Sequence, residues 1–117
     1  MGANILEGNF YRGAKNTIYI DPYIDGAVVD LTTYSQLKFL CGDMDDVLVF
    51  SKDKVAGITI VDGDAVNSRA KIVSERADSL AMQEGMFYQW SLWDPSTDTL
   101  LGEGLLYVSA ALDHAAV

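Results

Sequence analysis

A chain of 117 residues, 50% hydrophobic and 21% charged, has the make-up of one globular domain and is too short for two separate cores. Eight Lys and Arg stand against 17 Asp and Glu, a formal net charge of -9. That sign argues against nucleic acid as a partner, since binding there is dominated by cationic contacts to phosphates. The apolar runs are too short to span a bilayer, and no basic leader with a long apolar stretch is visible, so neither a membrane role nor a signal peptide is expected.

Taken in chain order, residues 1–16 form an N-terminal segment holding Ile5, Leu6, Phe10 and Tyr11 with little strand alternation, loosened by glycines at 2, 8 and 13. Its apolar side chains either cover the domain that follows or reach a neighbouring subunit. From residue 17 to residue 112 the pattern changes to period-two alternation, the mark of half-buried strands. Strands are expected over Thr17–Ile20, Ala27–Thr32, Leu37–Cys41, Val47–Ser51, around Ile58 and Ile60, and around Ala70 and Ile72. Both prolines, Pro22 and Pro95, adjoin aspartates and read as turns. Ala77, Leu80, Ala81 and Glu84 have helical spacing, with Gly85 as a C-terminal cap. Met86, Tyr88, Trp90 and Leu92 give the next strand an all-apolar face, so Trp90 is expected inside. Residues 100–110 return as the closing strand, in which Gly102 and Gly104 suggest a bulge. Residues 113–117 read as a tail. The whole predicts an all-β, immunoglobulin-like antiparallel sandwich of about seven to eight strands with at most one short helix. Period-two patterning alone does not separate it from a small barrel.

Chemistry is sparse in this pattern. Cys41 is the sole cysteine and His114 the sole histidine, so there is neither an internal disulfide nor a Cys/His metal set. Asp43, Asp45 and Asp46, and Asp62 with Asp64, lack the spacing of a calcium loop and read as turn formers. No nucleophile elbow, P-loop or dinucleotide fingerprint occurs. No catalytic residue, cofactor or metal site is therefore expected. The candidate contact residues are aromatic: Trp93, on the strand face opposite Trp90, and Phe10, Tyr11 and Tyr23 near the N-terminus.

Six segments occur in an order that resembles a known family. They are Phe10-Tyr11-Arg12-Gly13, Gly26-Ala27-Val28-Val29-Asp30-Leu31-Thr32, Ala56-Gly57-Ile58-Thr59-Ile60, Ala77-Asp78-Ser79-Leu80 with Gly85, Tyr88-Gln89-Trp90-Ser91-Leu92-Trp93-Asp94, and Gly104-Leu105-Leu106-Tyr107-Val108. Over residues 10–109 the chain resembles the immunoglobulin-like β-sandwich domains of tailed-bacteriophage virion proteins, of the type at the N-terminus of upper baseplate proteins. It departs from them in having Thr33 after Asp-Leu-Thr where glycine is common, Asp78-Ser79 for Asp-Thr, and one extra residue between Gly85 and Tyr88. The resemblance implies a non-catalytic structural or assembly component of a phage or prophage tail, baseplate or adaptor. It also implies other virion proteins and further copies of itself as partners, and a location in the virion after synthesis in the bacterial host cytoplasm. The alternative reading is a carbohydrate- or surface-binding sandwich module that uses Trp93 or Tyr23.

Overall fold

The computed structural model describes residues 3–5, 10–24, 27–61 and 69–109, with Ala3–Ile5, Tyr23, Ile24 and Val28 described by backbone alone. Ten strands lie among them: β1 (Ala3–Ile5), β2 (Phe10–Tyr11), β3 (Asn16–Ile24), β4 (Ala27–Val28), β5 (Lys38–Gly42), β6 (Leu48–Asp53), β7 (Ile58–Val61), β8 (Arg69–Ser74), β9 (Phe87–Asp94) and β10 (Thr99–Ser109). One sheet runs β1-β3-β8-β7 with β4 paired to β3, and the other runs β2-β10-β9-β5-β6. The core closes between them. Ile18, Ile20, Ile58, Ala70 and Ile72 of the first sheet form one buried cluster with Phe39, Cys41, Phe50, Tyr88, Trp90, Leu92, Leu106 and Val108 of the second.

The strand order is that of an immunoglobulin-like sandwich, A-B-E-D against G-F-C-C′. A buried tyrosine completes the likeness. Tyr88, near the start of β9, accepts a hydrogen bond on its hydroxyl from the Gln83 N–H at 2.7 Å, the corner contact typical of such domains. Trp90, two residues on, is 3% exposed and stacks on Phe39 at 5.9 Å, so two rings fill the centre that a disulfide and a tryptophan fill in antibody domains. The expectation for Trp90, with Tyr88 and Leu92 beside it, holds.

Four local expectations are corrected. Segment 1–16, read as showing little strand alternation, holds two strands among its described residues: β1 pairs antiparallel with β3, and β2 pairs parallel with β10. Elements of two or three residues are too short to show alternation. The stretch 27–32 holds only β4, after which Leu31–Thr33 turn as a 3-10 helix. Asp30 caps that turn, accepting from the Thr32 N–H at 3.0 Å and the Thr32 hydroxyl at 2.5 Å. Pro22 lies within β3, opposite Ala3 and past Ile20, where the pairing with β8 ends, so its missing N–H costs no bond to that strand. The helix α1 spans only Arg76–Leu80, opened by a reciprocal Glu75–Asp78 capping box. Gly85, four residues beyond its Ala81 cap, has φ +77 and bonds the Val108 carbonyl at 2.8 Å. The closing strand is bulged between Leu100 and Gly102, as expected. Residues 62–68, with Asp62 and Asp64, and residues 110–117, with the tail and His114, lie outside the described residues.

A polar seam ties the Arg12-Gly13 turn to α1. The buried Ser79 hydroxyl accepts from the Gly13 N–H at 2.8 Å, Arg12 Nε donates to the Met82 carbonyl at 2.8 Å, and Arg76 donates to the Gly13 carbonyl at 2.6 Å. Buried polar groups satisfied in this way fix the entry into β3.

Candidate docking face

The two sheets differ in what they show to solvent. On the outer side of the first, Tyr19, Lys71 and Thr59 lie abreast across β3, β8 and β7, and Asp21 pairs with Arg69 at 3.2 Å. That is the polar face expected of a half-solvated antiparallel sheet.

The second sheet is different. Its register sets Tyr107 beside Phe87, Leu105 beside Gln89, Gly42 and Leu48, and Glu103 beside Ser91 and Leu40. A last row holds Leu100, Trp93, Lys38 and Asp53. Four large apolar side chains on this side stay about half in water: Phe87 at 50%, Tyr107 at 48%, Leu105 at 54% and Leu48 at 57%. Phe87 and Tyr107 meet edge to face at 5.0 Å. Met86, adjoining Phe87, and Met44 and Val47 in the β5–β6 hairpin are also exposed. At these exposures the four side chains leave roughly 400 Å² open, within the roughly 300–600 Å² of the largest apolar patch on a typical monomer, a patch that is often functional.

On the same face, bordered by Leu48, lies a groove of about 420 Å³, lined by Leu40, Gly42, Leu48, Gln89, Trp90, Ser91, Trp93, Leu100, Asp46 and Glu103. Its depth comes from small residues. Gly42 and Ser91 are the small residues between larger neighbours, and a Cβ on Gly42 would stand a tight 3.0 Å from the Val47 carbonyl oxygen. Asp46, at φ 64, accepts a short hydrogen bond from the Gln89 side-chain amide, which also donates to the Asp43 carbonyl at 2.9 Å.

The candidate residues separate on this map. Trp93 lies half-buried at one end of the groove, its indole N–H donating to the Ser91 hydroxyl at 2.8 Å. Tyr11 is exposed and opposite Ser109 at the other end of the sheet. Phe10 requires correction: it is 3% exposed and stacks on Phe50 at 6.2 Å, so it belongs to the core and offers no contact surface. The Tyr23 side chain lies outside the described residues; its backbone pairs with Val28. The chain matches no known protein-family model and no curated protein sequence.

Sequence reasoning placed Phe87 beside Trp93 on the wet face of its strand, and missed Leu105, Tyr107 and Leu48 as surface residues. The signal was present in Leu105-Leu106-Tyr107-Val108, an unbroken apolar run where a sheet with one wet face would alternate.

The acids serve the turns. Asp43 Oδ1 accepts from the Asp45 and Val47 N–H groups at 2.8 and 3.0 Å, and Asp53 Oδ1 from those of Val55 and Ala56 at 2.9 and 2.8 Å. Asp94, nearly enclosed, accepts from the Ser96 hydroxyl at 2.6 Å, the Ser96 N–H at 3.0 Å and the Thr97 hydroxyl at 3.0 Å. The Ser96 hydroxyl does most to hold this carboxyl below its usual range, against the opposing effect of burial. Burial also pushes the Cys41 thiol up to about 12. Among the described residues no group of three or more His, Cys, Asp or Glu is placed to hold a metal ion.

Proposed function

We propose that this chain is a non-catalytic assembly module that docks through the outer face of the β2-β10-β9-β5-β6 sheet. Following the family resemblance, we place it among the structural components of a tailed-phage or prophage virion, in the tail, baseplate or adaptor. The single observation that carries the docking role is the half-exposed set Phe87, Leu105, Tyr107 and Leu48 on one sheet face, while the other sheet turns a polar face to water. Apolar patches of this extent on a soluble domain mark interaction sites. Turn roles for Asp30, Asp43, Asp53 and Asp94 support the non-catalytic part, since each carboxylate has a local structural use.

A glycan-binding role ranks second. Sugar platforms need aromatic faces open and in line, whereas Phe87 and Tyr107 meet at 60° and Trp93 lies at the far end of the groove.

The test is a Phe87→Ser, Tyr107→Ser double variant followed in two assays. Its thermal midpoint should stay near that of the wild type, since both side chains are half in water. Mass spectrometry of purified phage particles from the strain carrying the gene should find the wild-type chain and not the variant. Particles that lack the wild-type chain would overturn the virion setting. Particles that retain the variant would overturn the docking face.

A further inference from the structure

The groove says more about what docks than the apolar patch does. Its floor is small, its walls are Leu40, Leu48, Trp93 and Leu100, and the ionisable groups lining it are Asp46 and Glu103, both anionic. The adjoining hairpin adds Asp43 and Asp45. Among the described residues the cation of this face is Lys38, in the outermost row between Trp93 and Asp53. A second copy of the chain would bring another surface from a molecule of net charge -9 against these carboxylates, and like charges set against each other at an interface are costly. A flat sheet partner would also leave the groove unfilled.

Resting on the docking role proposed above, we infer that the groove receives an extended protein segment carrying aliphatic side chains flanked by Lys or Arg. The aliphatic side chain lies over Gly42 and Ser91 against Leu40, Leu48 and Trp93. The flanking cations meet Asp46 at one rim and Glu103 at the other. Charge complementarity selects the partner, and the apolar walls supply the desolvated contact.

Three short synthetic peptides test this, alternating Leu with Lys, Leu with Glu, and Ser with Lys, each titrated into isotope-labelled full-length protein. The amides of Gln89, Ser91 and Glu103 and the Trp93 indole N–H report occupancy. The Leu/Lys peptide should shift these signals, with affinity falling roughly tenfold between about 20 mM and about 300 mM salt. A Glu103→Lys variant with an unchanged thermal midpoint should bind it several-fold more weakly. Equal binding of the Ser/Lys peptide would reduce the effect to bulk charge and overturn the inference, as would preference for Leu/Glu or shifts confined to the other sheet. Should sedimentation instead show a dimer dissociated by Phe87→Ser, the partner chemistry fails and the docking face stands. Should no peptide bind and the Phe87→Ser, Tyr107→Ser variant still enter particles, both fail.

Discussion

Gly104 of β10 is the most exacting test of the packing described. It pairs with Trp90 across the sheet, and a Cβ placed on it would stand 2.9 Å from the indole Nε1 and Cζ2 and 3.0 Å from Cε2. The ring has nowhere to retreat, because it is 3% exposed and stacked on Phe39 at 5.9 Å. Overpacking of this kind costs about 1–3 kcal/mol. Against it stands the lower unfolded-chain entropy of alanine, worth about 0.4–1 kcal/mol, and Gly104 is not among the positive-φ glycines. Gly104→Ala should therefore destabilise by about 1–2 kcal/mol in urea titration. For a domain of this size that lowers the thermal midpoint by roughly 4–10 °C. Trp90→Leu should itself be destabilising, but adding Gly104→Ala to it should cost much less than in the wild type, because the two residues couple through one contact. A Gly104→Ala protein as stable as wild type, or additive costs in the double variant, would refute the proposed close packing.

Phe10→Ala should cost about 3 kcal/mol in the same titration, while Tyr11→Ser should change stability by less than about 1 kcal/mol, reflecting core against surface. Asp94 has a lowered pKa, so it stabilises the fold above the unfolded carboxyl value near 3.9, and that contribution is lost as pH falls through the folded value below it. Asp94→Asn should thus melt lower than wild type at pH 6, with the gap narrowing as pH drops under about 4 in pH-dependent thermal scans. Cys41, with its thiol pushed up to about 12, should resist a thiol reagent at pH 8 in the native protein and react at once in denaturant.

The sandwich was legible because its long strands carry the message in their alternation. In β9, Tyr88, Trp90 and Leu92 face inward with Phe87, Gln89, Ser91 and Trp93 between them, and a one-residue slip would bury Gln89. The pieces that escaped reading are those where alternation has no room or another force decides. Two residues of β2 show no period, and Phe10 owes its burial to Phe50 and Val108, both far along the chain. Asp30 ends the expected second strand through a side-chain bond to Thr32, local chemistry that overrides the apolar pattern of Val29 and Leu31. The docking face was half legible. Trp93 was visible as the odd tryptophan on a wet face, whereas the row of Leu105 and Tyr107 became a surface only once β10 had a known inner side.

The parallel pairing of Phe10 and Tyr11 with Val108 and Ser109 also sets an order of events during synthesis. The second sheet cannot gain β2 until β10 has left the ribosome, so a nascent chain carries β2 unpaired while all the strands between them are made. Closing a loop that long adds little entropy over a medium one, but it makes the pairing one of the most non-local in the domain, and such pairings form late and slowly. Until then the backbone of Phe10 and Tyr11 stays open to chaperones. Any truncation upstream of Val108 would leave β2 without its pairing strand, an opening by which proteases could remove truncated copies.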